Sequence, residues 1–127
     1  MTMRLVGAQG ELRVYQIAAL PENIGTARPR QDRNGAYILA HSEKGHHHVM
    51  GGQFGGDCDV IEHVETQQIG GQSLVMRTLY AIVNSPTALH QTATEGHADL
   101  MLDAGVYAIR ADVEFDPFAD QIREVQD

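Results

Sequence analysis

Residues 106–115 alternate without a break. Tyr107, Ile109, Ala111, Val113 and Phe115 fall on one side, and Val106, Ala108, Arg110, Asp112 and Glu114 on the other. A period of two is the repeat of an extended chain, so the segment predicts a strand with its first, apolar side on a core. The pattern recurs. Residues 11–18 set Leu12, Val14 and Gln16 against Arg13, Tyr15 and Ile17, and residues 57–64 set Cys58, Val60, Glu62 and Val64 against Asp59, Ile61 and His63. Residues 74–83 are the longest apolar-rich segment, closed by Asn84-Ser85-Pro86. Shorter extended segments are predicted at 36–41, 46–50, 87–90 and 97–102, with a lead-in or edge strand at 1–10. Residues 21–35, 51–56 and 67–73 carry the Gly, Pro, Asn and Ser of loops and turns.

Seven or eight short strands with turns between them predict an all-β fold, a small barrel or sandwich. One short C-terminal helix is expected at about 117–126. Asp116 can cap it, Pro117 suits its first position, and Phe118, Ile122 and Val125 recur at helical spacing. A chain of 127 residues fits a single domain over 1–127. The absence of a long apolar run or a leader-like start predicts a cytoplasmic protein that does not enter a membrane. Cys58 is the sole cysteine, which excludes an internal disulfide and predicts a small buried hydrophobe. The formal net charge of −8, without a basic stripe, argues against nucleic acid as a partner. Arg28, Arg30 and Arg33 read as a solvated loop. Exposed edge strands predict a homodimer.

The chemistry should lie with the histidines. His46, His47 and His48 are consecutive, and His41 stands upstream across Ser42-Glu43-Lys44-Gly45. If those four residues close a regular hairpin, His41 and His46 pair across it. Alternation then brings His48 to the same face and turns His47 away. A slip of one residue would scatter the set. His90 and His97 flank a second loop, and in a barrel the two turns would meet over one mouth. The expected site is therefore His41, His46, His48, His90 and His97 around one divalent transition metal ion. Imidazoles without thiolate suit Zn, Ni, Fe or Mn. Glu43 and Glu95 are the weak candidate catalytic carboxylates, and each reads more simply as a solvated loop residue. His63, on an alternating strand, is expected to face solvent.

Two resemblances bear on this. Gly45-His46-His47-His48 resembles the opening of the first cupin motif, and residues 99–107, with Asp103-Ala104-Gly105-Val106-Tyr107, resemble the second. That resemblance implies a small, cupin-like jelly roll, although the usual spacing from Gly to His-x-His is absent and no His follows Gly105. The chain also resembles small uncharacterised bacterial proteins, some in phage-like settings. Those proteins carry His-Gly-Glu-x-x-Gly-His-x-His, then Leu-x-His, a further His, Pro-Pro-Gly-x-Tyr and Glu-Tyr-Asp-Pro. Here the corresponding stretches are residues 41–48, Leu89-His90, His97, Ala104-Gly105-Val106-Tyr107 and Glu114-Phe115-Asp116-Pro117. This likeness, over about residues 36–120, implies a common fold and histidine site and no particular reaction. Two readings stand: a metal-dependent enzyme acting on a small-molecule substrate, or a non-enzymatic structural or interaction protein.

Overall fold

Alternation becomes strand pairing in the computed structural model, which describes residues 3–41, 47–92, 98–111, 113–116 and 121–124. Eleven strands run through these residues: β1 (Met3–Gln9), β2 (Leu12–Ile17), β3 (Tyr37–His41), β4 (His47–Met50), β5 (Asp57–Ile69), β6 (Gln72–Ser85), β7 (Thr87–Gln91), β8 (Leu100–Leu102), β9 (Gly105–Ala111), β10 (Val113–Asp116) and β11 (Gln121–Glu124). A five-stranded sheet has the order β1-β2-β9-β6-β5, and a four-stranded sheet the order β3-β4-β7-β8. Every paired neighbour is antiparallel.

The apolar sides of the alternating segments meet between these sheets. Leu12, Val14, Val60, Leu79, Ala81, Val83 and Ile109 come from the larger sheet, and Leu39, Met50, Leu89 and Leu102 from the smaller. Each large aliphatic side chain buried this way contributes about 1.5–3 kcal/mol. The outer face of the larger sheet is also covered. Ile17, Ile61, Tyr80 and Ala108 form a second cluster there, and Leu20 and Ile24 of the long 18–36 connection pack on it. That connection is tied down by Glu62 N–H donating to Ala27 O at 2.8 Å and Ile38 N–H donating to Arg30 O at 2.7 Å. Arg28, expected to be solvated, pairs with Asp59 at 3.0 Å.

Several expectations are corrected. The sheets form an open sandwich and do not close into a barrel, because β1, β5, β3 and β8 remain edges among the described strands. The strand order does not reproduce a cupin-like jelly roll either, since the hairpins β3–β4, β5–β6 and β7–β8 each stay within one sheet. Where a C-terminal helix was expected, Gln121–Glu124 is a strand paired with Val113–Asp116, with Phe115 opposite Ile122. Pairing of two short strands avoids the nucleation cost of a ten-residue helix. Residues 117–120 and 125–127 lie outside the described residues. The expected turn at 67–73 shrinks to Gly70-Gly71, both with positive φ, and the β5–β6 ladder runs on to Ile69 and Gln72. Among the described residues no helix is long and apolar enough to cross a membrane.

Cys58 is partly buried and packs against the core. Burial, and then Asp57 and Asp59, push its thiol up from 9.0 to about 11. At neutral pH only about one thiol in ten thousand is then ionised, so native Cys58 should react slowly with disulfide reagents and quickly in denaturant. The sign for stability follows from linkage. A raised pKa means the folded state holds its proton longer, so this contribution is intact below pH 9 and is lost as pH rises towards 11. A thiol titration with equal rates in folded and unfolded protein would contradict it.

Candidate functional site

At one end of the sandwich the alternation of β4 turns His48 into the core. Its backbone register pairs it with Ala40 on β3 and Gln91 on β7. His48 is 1 % exposed, and Gln91 is also buried. The β1–β2 hairpin supplies the partners. Gln9 ends β1 opposite Leu12, so its turn is Gly10-Glu11 and delivers two polar side chains to the same place. Both Gln9 and Glu11 are buried.

The Gln9 amide has a fixed orientation. Its Nε2 donates to Leu89 O at 2.9 Å and to Ala98 O at 3.1 Å, which uses both hydrogens. Its Oε1 is therefore the acceptor facing His48 Nδ1 at 2.8 Å, and His48 carries its proton there. The other ring nitrogen, Nε2, lies 3.6 Å from Glu11 Oε2. That distance is too long for a direct hydrogen bond and within reach of an ion pair. The arrangement presents an imidazole Nε2 and a carboxylate to one another in a dry setting. It can hold a proton, as imidazolium and carboxylate, or a cation bound by both.

His90 sits elsewhere. It pairs with Val49, the neighbour of His48, so β4–β7 pairing sends it to the opposite face of the smaller sheet. Its Nδ1 lies 2.6 Å from Asp99 Oδ1, and its ring stacks on Phe54 of the short 3-10 turn Gly52–Phe54, with centroids 4.4 Å apart.

The histidine hairpin differs from its expected register by one residue. His41 pairs with His47, not with His46. In the second hairpin the β7–β8 register ends at Leu89 and Leu100, and His90 meets Asp99 just beyond it. His48 and His90 thus face away from each other. His46, His97, Glu43 and Glu95 lie outside the described residues. Among the described residues no group of three His, Cys, Asp or Glu side chains is placed to hold a metal ion. His63, expected to face solvent, is partly shielded and lies 3.0 Å from Glu65. Sequence reasoning missed Gln9, Glu11, Gln91 and Asp99. The one available signal was Gln9-Gly10-Glu11, a polar turn between two alternating segments.

Fold and site together define a two-sheet β-domain that seals an imidazole, a carboxylate and a carboxamide into one end of its core. A family model, a domain of unknown function (DUF8820), matches residues 8–112, and the chain belongs to that family. No curated protein and no solved structure gives a significant match.

Proposed function

We propose that this protein binds one divalent transition metal ion at the buried end of the sandwich, with His48 Nε2 and the Glu11 carboxylate among its ligands. The observation that carries this is the Gln9 amide. It holds the Nδ1–H of His48 and leaves Nε2 as the ligating atom, which is how ligating histidines are oriented. Nitrogen and oxygen ligands without thiolate suit Zn, Ni, Fe(II) or Mn. The chemistry such an ion would supply is that of a Lewis acid.

The test is calorimetric titration of metal-stripped protein with Zn, Ni and Mn. His48→Ala and Glu11→Gln should each weaken the tightest binding by roughly 100-fold or more. His47→Ala and His90→Ala, on the other face, should leave it unchanged. Losses confined to His47 and His90 would move the site to the outer face and overturn the assignment.

A second reading is favoured by the two backbone carbonyls held by Gln9. They make the cluster a tie between β1, β7 and the approach to β8, as in a non-enzymatic structural or interaction protein. It predicts a melting temperature that falls in His48→Gln and is indifferent to added metal or chelator.

We also propose a homodimer formed through the β5–β6 ribbon. β9 pairs with β6 only over Thr78–Val83, so among the described strands Gln72–Arg77 has β5 alone beside it. Val64, Ile69 and Val75 are each more than half exposed there. Val75→Lys should convert a dimer to a monomer by light scattering, and a monomeric parent protein at micromolar concentration would remove the proposal.

A further inference from the structure

A second site lies at the other end of β1, away from the histidines. β1 edges the larger sheet and β8 edges the smaller. They close at Gly7, where an added Cβ would come 2.9 Å from the Leu100 methyl carbons. Towards Arg4 and Asp103 the two edges part, and a cavity of about 380 Å³ opens between them. That is within the size range of small-molecule pockets.

Its lining has three chemically distinct parts. The floor is polar: Tyr107, buried, donates its hydroxyl to Asp103 O at 2.7 Å, and the Gln16 amide oxygen accepts from Arg4. The lips are apolar, with Leu5 and Met101 55 % and 58 % exposed. The rim carries one charge of each sign, the Arg4 guanidinium and the Asp103 carboxylate. Among the described residues neither has an ion-pair partner, although the Tyr107 phenol between them feels both. Burial and then Asp103 hold its proton more tightly, and Arg4 opposes them. Two opposite charges that flank one hydroxyl without neutralising each other leave room for a ligand bearing the complementary pair.

We propose that this cleft binds a small zwitterion, an α-amino acid with an apolar side chain. The ligand carboxylate meets the Arg4 guanidinium, whose geometry matches a carboxylate. The ligand ammonium meets Asp103, and the apolar side chain covers Leu5 and Met101. The Tyr107 hydroxyl and Gln16 amide supply neutral hydrogen-bonding groups at the floor. The proposal is independent of the metal reading, because it uses none of the same residues.

The experiment is a titration followed by nuclear magnetic resonance, with L-leucine and L-methionine as probes. Isovalerate supplies the carboxylate alone, and isoamylamine the ammonium alone. The expected result is saturable binding of the amino acids, with shifts at Gln16, Met101 and Tyr107. Each single-charge probe should bind at least about tenfold more weakly. Arg4→Gln and Asp103→Asn alter exposed side chains and should keep the fold, and each should reduce leucine binding by roughly tenfold or more. Chelator should have no effect. Three outcomes overturn the proposal: no saturation by either amino acid at about 10 mM, isovalerate binding as tightly as leucine, or leucine binding unchanged in Asp103→Asn.

Discussion

Gly56→Ala is expected to lower the unfolding free energy by roughly 3–5 kcal/mol, through two costs that add. The first is local. Gly56 has φ +80°, where an L side chain is strained by about 1–2 kcal/mol. The second is tertiary. A Cβ there would lie 2.2 Å from Thr87 Oγ1, 2.7 Å from Pro86 O and 2.8 Å from Thr87 Cα. Two of those atoms are backbone, so rotating a side chain cannot relieve the contact. Thr87 is fully buried, and its hydroxyl already donates to Ser85 O at 2.8 Å. Pro86 restricts the chain just before it. Gly25→Ala separates the two costs. Its φ is +77°, but nothing lies within 4 Å of an added Cβ, so only the dihedral strain remains. Urea unfolding of both variants measures the difference. Equal losses would mean that the β7 backbone does not close on Gly56.

The contrast between these glycines parallels what the sequence disclosed and what it withheld. Strand existence was legible because alternation is local. Leu12 and Val14 face one cluster while Tyr15 and Ile17 face the other, as their spacing predicts. Tyr107 and Ile109 reach the core for the same reason. Register was not legible. Nothing in Ser42-Glu43-Lys44-Gly45 decides whether His41 meets His46 or His47, yet that single step decides which histidines share a face. Closure was not legible either, because barrel and sandwich share the same alternation and differ in whether edge strands meet. At the C-terminus, Phe118, Ile122 and Val125 fit a helical stripe, while Phe115 and Ile122 also fit opposite positions of a hairpin. Short segments carry both periods, and pairing decides. The buried polar residues were the least visible. A glutamine at the end of a strand looks the same in a sequence whether it meets water or an imidazole.

Gln9→Leu should be nearly as costly as Gly56→Ala, at roughly 3–5 kcal/mol, although leucine matches glutamine in size and is apolar. The substitution deletes three hydrogen bonds at once. Leu89 O and Ala98 O lose their side-chain donor, and His48 Nδ1–H loses its acceptor. Gln9 and His48 are almost completely buried, so water does not readily replace them. The effect on His48 goes beyond stability. Without the amide oxygen the proton is no longer held at Nδ1, and Nε2 is no longer fixed as the atom facing Glu11. Long-range nitrogen–proton spectra should therefore show the His48 tautomer change in Gln9→Leu, and on the proposed metal-binding reading the affinity for the ion should fall by about 10–100-fold. Gln9→Glu gives a separate reading. Its carboxylate still accepts from Nδ1, but it offers no donor to the two carbonyls, so it should keep the tautomer while losing stability. If Gln9→Leu unfolds within about 0.5 kcal/mol of the parent protein, or leaves the tautomer unchanged, the amide is not the element that orients His48.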